Sequence, residues 1–146
     1  MHTIIISLYH NEMMNLLVFT STLFITNVLV GVYLEYHVYA LLFFVLLSTS
    51  IINHSGIEIQ DIKKWDRVAV ISVGVYGAYM MIQKGLFNGS IGCALTIGCF
   101  LFCVLMYDYG SRINRYCFDE NPFVSCFYHA CMHLVGSVGH HFIMIL

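Results

Sequence analysis

Charge is what this 146-residue sequence lacks most: Asp, Glu, Lys and Arg make up 10% of it, against about a quarter of a soluble domain. So sparse a charge cannot cover an ordinary water-facing surface. The six Lys and Arg residues form no basic stripe and the formal net charge is −2, so nothing is available to neutralise phosphates and no nucleic-acid partner is expected. The cysteines (Cys93, Cys99, Cys103, Cys117, Cys126 and Cys131) show no paired C-x-x-C spacing. Most fall within apolar runs, and they read as packing residues more readily than as a disulfide framework. No basic segment and no small-residue cleavage signal accompany the first apolar run, so that run is expected to be a retained span.

What the chain has in abundance is apolar side chains, 60% of all residues, with a mean hydropathy of +0.82. That composition specifies an integral membrane protein, an all-α polytopic helix bundle forming a single transmembrane domain over residues 1–146. The length accommodates about five spans of roughly 20 residues and little else. The apolar runs are Leu16 to Leu34, Val38 to about Ile52, Val68 to Ile82, Ile91 to Met106, and Phe123 to Leu146. Polar breaks separate them: Asn53-His54-Ser55-Gly56 ends the second, a charged loop runs from Glu58 to Arg67, and Lys84 to Gly89 has the composition of a turn. Pro122, the only proline, stands where the last helix should begin.

Orientation follows from the positive residues alone. Lys63, Lys64, Arg67, Arg112 and Arg115 fall in loops on one side of such a five-span chain, and Lys84 is alone on the other. The bias puts the N-terminus and the even-numbered loops in the cytoplasm and the C-terminus on the opposite side.

This topology gives the histidines a common depth. His129 and His133 are spaced i, i+4 within an apolar segment long enough to span, so both leave one face of a buried helix. Imidazole is costly in hydrocarbon unless it is used. His54, at the cytoplasmic end of the second span, and Asp66, at the head of the third, fall in the same leaflet, and Ser50 shares a helix face with His54. Three neutral imidazoles and a water form the open tetrahedral arrangement of catalytic zinc, in which the metal brings the pKa of the water to roughly 7. Asp66 is then a candidate proton acceptor and donor, and Ser50 a candidate to hold the water or stabilise an oxyanion. A lipid substrate reaching such a site from the bilayer makes amide or ester cleavage the natural reaction class.

Each residue also has a plainer reading. The His129/His133 pair can serve as interhelical hydrogen-bonding groups, and His54 can be an interfacial residue at a span end. Asp66 can cap a helix, and Ser50 can bond the carbonyl four residues before it.

Ser50-Ile-Ile-Asn-His54, then Asp66, then His129-Ala-Cys-Met-His133 resemble the S-x-x-x-H, D and H-x-x-x-H signature of the CREST membrane hydrolase superfamily. That superfamily includes alkaline ceramidases, progestin and adiponectin receptors and myomaker-like proteins. Gly85 to Gly92 and Phe127-Tyr128-His129-Ala130 look most similar to the myomaker-like branch, and the resemblance covers roughly residues 43–142. It implies Zn2+ held by His54, His129 and His133, with Ser50 and Asp66 beside it, and for some members lipid amide hydrolysis. The family generally has seven spans where this chain fits five, and a bundle so reduced is a candidate for homo-oligomer formation. The myomaker-like branch is linked to membrane remodelling and fusion.

His140 and His141 lie about 10–12 Å beyond His133 along a helix and should not reach the same ion. A di-iron reading would recruit them, but His2, His10 and His37 form no histidine boxes. A bis-histidine haem between His54 and His129 is a further minor alternative. The tyrosines near span ends and Trp65 fit an interface belt. Ser72, Gly74, Gly77 and Ala78 permit close helix contact in span three. Two functional readings follow: a zinc-dependent lipid hydrolase, and a non-enzymatic membrane-remodelling or structural protein in which zinc braces the bundle.

Overall fold

The structure, a computed structural model, describes the backbone of residues 2–85 and 91–146 and the side chains of residues 12–85 and 91–146. The chain is an all-α membrane helix bundle, with no strand among the described residues. Its helices are α1 (His2–Thr22), α2 (Phe24–Tyr33), α3 (His37–His54), α4 (Ile62–Gln83), α5 (Ile91–Val104), α6 (Gly110–Ile113) and α7 (Pro122–Ile145). A π-helical turn, Leu105–Tyr109, joins α5 to α6, and a 3-10 turn, Tyr116–Phe118, precedes α7.

Among the described residues, three segments are long and apolar enough to cross a membrane: Glu12–Tyr33, His37–His54 and Ile91–Ile113. They correspond to the first, second and fourth expected spans. The other two expected spans fall on α4 and α7, of 22 and 24 residues, which match a bilayer in length but are interrupted by charged residues or histidines. α4 has Lys63, Lys64, Asp66 and Arg67 in its first turns, and α7 has four histidines.

The charged segment before the third span is therefore partly helical. The expected loop of Glu58 to Arg67 ends at Asp61, and the helix starts at Ile62, so Asp66 lies inside α4 and is not its cap. At the other end of that loop Gly56 adopts φ +74°, a left-handed conformation that turns the chain away from α3 at no steric cost. The fourth helix runs past Met106, through the π-helical turn, to Ile113. Pro122 opens α7 as expected, and the Asn121 side chain accepts a hydrogen bond from the Phe123 N–H at 3.0 Å, satisfying one free amide of the first turn. Residues 86–90 of the expected turn and of the Gly85–Gly92 motif lie outside the described residues.

α3 and α7 organise the bundle. α3 packs on α1, α2 and α4, and α7 packs on α1, α2, α4 and α5. Yet nowhere among the described residues do Cα atoms of α3 and α7 come within 8 Å of each other. Large side chains bridge the space between them: Tyr39 and Phe43 from α3 meet His140 from α7, with ring centroids 5.5 and 5.0 Å from the imidazole. Tyr39, Phe43, Val73, Ile143 and Met144 are buried in the surrounding core. Polar groups share that interior. Asn27 of α2 donates to the Ser137 carbonyl at 3.0 Å and accepts from the Ser137 hydroxyl at 2.6 Å. A polar group in hydrocarbon must find its partner inside the protein, and these do.

Candidate metal centre

The local geometry of α3 is set by two adjacent polar stripes. Thr49 and Asn53 form one i, i+4 pair, Ser50 and His54 the next, and each pair shares one side of the helix. The first stripe holds Asp66: Asn53 Nδ2 donates to Oδ2 at 3.1 Å, and the Thr49 hydroxyl lies 3.2 Å from Oδ1, its one hydrogen shared with the Val45 and Leu46 carbonyls at 3.0 and 3.1 Å. Asp66 is buried, and these two donors compensate part of its desolvation.

The second stripe leads to the histidines. At the end of α3, His54 faces the i, i+4 pair of α7, and one ligand nitrogen from each of His54, His129 and His133 lies within 4.8 Å of the others. The rings stand close: His54 to His129 is 4.9 Å between centroids, His54 to His133 5.4 Å, and His129 to His133 5.0 Å. Three nitrogens about 2.1 Å from one tetrahedral ion are roughly 3.4 Å apart, within the 4.8 Å that bounds the separations here. His54 Nε2 is buried and has no hydrogen-bond partner. Leaving such an atom unsatisfied costs about 1–3 kcal/mol, and a metal ion is the partner that the neighbouring nitrogens would share with it. The three histidines are able to hold a metal ion.

Ser50 is buried to 1% exposure, and its hydroxyl lies 3.0 Å from that of Ser21. Ser21 spends its hydrogen on the Leu17 carbonyl at 2.8 Å, so Ser50 donates to Ser21 and keeps its lone pairs. The expected bond to its own helix carbonyl is replaced by this interhelical one. Asp66 is not a member of the three-histidine group, but its donor Asn53 is the residue next to His54.

Comparison of the chain with protein-family models, with curated proteins and with solved structures finds no match. The site is therefore read from its own chemistry.

His140 and His141 stay apart from the centre, as their distance along the helix requires. His140 Nδ1 is hydrogen-bonded to the Tyr39 hydroxyl, and His141 Nδ1 lies 3.0 Å from Asn27 Nδ2. Cys99, Cys103, Cys117, Cys126 and Cys131 form no disulfide among the described residues. Burial pushes the Cys117 thiol, in the turn before α7, up to about 11, so at neutral pH it offers no thiolate to a metal or a substrate.

Sequence reasoning missed Thr20 and Ser21, Asn27, and the Thr49/Asn53 stripe. Thr20-Ser21-Thr22 and Asn27 stand out as polar residues inside the first apolar run, and Thr49 and Asn53 repeat the Ser50/His54 spacing one residue earlier. Those are the signals that would have found them.

Proposed function

We propose that this chain is a zinc-dependent integral-membrane hydrolase that cleaves an amide or ester bond of a membrane lipid. The observation that carries this reading is the convergence of three imidazoles from α3 and α7, together with a buried, unpartnered His54 Nε2. An all-imidazole donor set with no carboxylate or thiolate suits zinc. Zinc held by these three imidazoles would supply Lewis acidity to a water or a carbonyl oxygen.

The chain's own residues supply the rest. Each Asp66 oxygen accepts one side-chain hydrogen bond from α3, which fixes the carboxylate and leaves lone pairs free. Asp66 takes a proton from the attacking water and returns it to the leaving amine or alcohol as the carbonyl carbon parts from nitrogen or oxygen. Ser50, its hydrogen committed to Ser21, is suited to accept a hydrogen bond from a water and not to donate one to an oxyanion. The acyl chain of the substrate enters from the bilayer, and the positive-charge bias sets the site toward the cytoplasmic leaflet. The order of Ser50, His54, Asp66, His129 and His133 is also our ground for relating the chain to the CREST superfamily.

A second reading rests on a specific observation: α3 and α7 make no close backbone contact, so a metal between them would brace the bundle without any turnover. Elemental analysis and a fatty-acid release assay on an amide lipid separate the two. The hydrolase is expected to carry about one zinc per chain and to release fatty acid. Asp66→Asn should keep the metal and lose activity, and His133→Ala should lose both. Full activity in His133→Ala, or absence of zinc from the purified protein, overturns the hydrolase; zinc without turnover leaves the brace.

A further inference from the structure

We infer that Thr20 is a positioning residue for the metal centre, acting through His133. This rests on the three-histidine site described above. Thr20 lies on α1, before the region that carries the family resemblance, and its side chain is buried. Its Oγ1 sits 3.0 Å from His133 Nδ1 and 3.1 Å from the Leu17 carbonyl oxygen.

A threonine hydroxyl has one hydrogen to give. For His133 to present the lone pair of Nε2 to an ion, its proton must sit on Nδ1, and Nδ1–H then needs an acceptor. Thr20 Oγ1 can be that acceptor because its own hydrogen has a second destination, the Leu17 carbonyl, which it shares with the Ser21 hydroxyl. The carbonyl is a pure acceptor, so the chain Nδ1–H to Thr20 to Leu17 has one consistent direction. It sets the histidine in the metal-binding tautomer before any metal arrives. Phe24, one turn further along the α1–α2 rod, meets the His133 ring edge-on at 5.3 Å between centroids. The hydroxyl fixes the ring's protonation and Phe24 limits its tilt, so the first rod of the bundle contributes to the site without contributing a ligand. Outer partners of this kind typically change metal affinity by about 10–100-fold when removed.

The test uses the full chain in detergent micelles, with zinc affinity measured by competition against a chromophoric chelator. Thr20→Val keeps the branched shape and deletes the hydroxyl, and it should weaken zinc binding about 10-fold or more. Thr20→Ser keeps the hydroxyl and should restore affinity to within about 3-fold of wild type. A loss caused only by altered packing would not be rescued by serine, which lacks the methyl group. A second readout needs no variant that must fold: 15N NMR of histidine-labelled, metal-free wild type, with His133 protonated on Nδ1 and bare on Nε2. Wild-type affinity in Thr20→Val, or an Nε2–H tautomer in the metal-free protein, overturns the role of Thr20 while leaving the site intact. Failure of wild type to bind zinc at all removes the site itself.

Discussion

The imidazole of His54 stands nearly perpendicular to that of His129, at 86° with centroids 4.9 Å apart, and it does so across a space that the backbones of α3 and α7 leave open. Side chains alone join the two central helices here. A metal shared by these rings would therefore be a cross-link between elements with no close main-chain contact.

Chelation should loosen the bundle. A ligand that binds only the folded state at 1,000 times its Kd stabilises by about 4 kcal/mol, and removal forfeits that amount. Thermal unfolding in detergent, followed by tryptophan fluorescence or far-UV circular dichroism, should show a lower midpoint for wild type after chelator treatment and recovery on adding zinc. His54→Ala should start low and ignore the chelator. Equal midpoints with and without chelator in zinc-containing wild type would separate the metal from the fold.

Asp66 should matter to turnover more than to metal. Its carboxylate is outside the histidine group and is gripped by Thr49 and Asn53. Asp66→Asn is expected to lower lipid hydrolysis by about 10²–10⁴-fold, the usual contribution of a positioned general base, with zinc content unchanged. Thr49→Val removes one of its two donors and should give a smaller loss. Retained hydrolysis in Asp66→Asn would assign proton transfer to another group.

The two glycines of α4 should part company. A Cβ at Gly77 would come 2.8 Å from His140 Cε1 and 2.9 Å from the Tyr39 hydroxyl, whereas at Gly74 nothing lies within 4 Å. Gly77→Ala should cost about 1–3 kcal/mol as an overpacked position, and Gly74→Ala should be close to neutral. Chemical or thermal unfolding of the two variants side by side checks this, and a stability loss in both would place Gly74 at a contact surface with another molecule.

Lys84 closes the far end of α7. Its ammonium donates to the Ile143 and Met144 carbonyls at 2.9 and 3.0 Å and lies 4.8 Å from the centre of the Tyr36 ring. Lys84→Met should cost about 1 kcal/mol through the lost carbonyl partners and helix-end charge, and should raise amide hydrogen exchange in the last turn of α7. Unchanged exchange there would show that the cap does not hold the helix end.

Much of the site was legible because it is written in helical spacing. His129 and His133 at i, i+4, and Ser50 with His54 at the same interval, are set by the period of the helix and do not depend on tertiary detail. The partners of these residues were less legible, since Thr20, Ser21 and Asn27 sit in the first apolar run and act on residues of α3 and α7 far along the chain. No local period links them. The run Glu58 to Arg67 reads as a loop throughout because of its charge density, but α4 begins at Ile62 and carries Lys63, Lys64, Asp66 and Arg67 on helical turns.

The sequence by itself determined that the chain is an all-α membrane protein, because a chain so poor in charge and so rich in apolar side chains must satisfy its backbone internally. It also determined which histidines share a helix face. Only the tertiary structure decided that His54 meets that face, that His140 and His141 pair with Tyr39 and Asn27, and that Asp66 is held by α3. Those outcomes depend on how helices pack and rotate against one another, and hydropathy, which constrains whether a segment crosses the membrane, leaves that rotation undetermined.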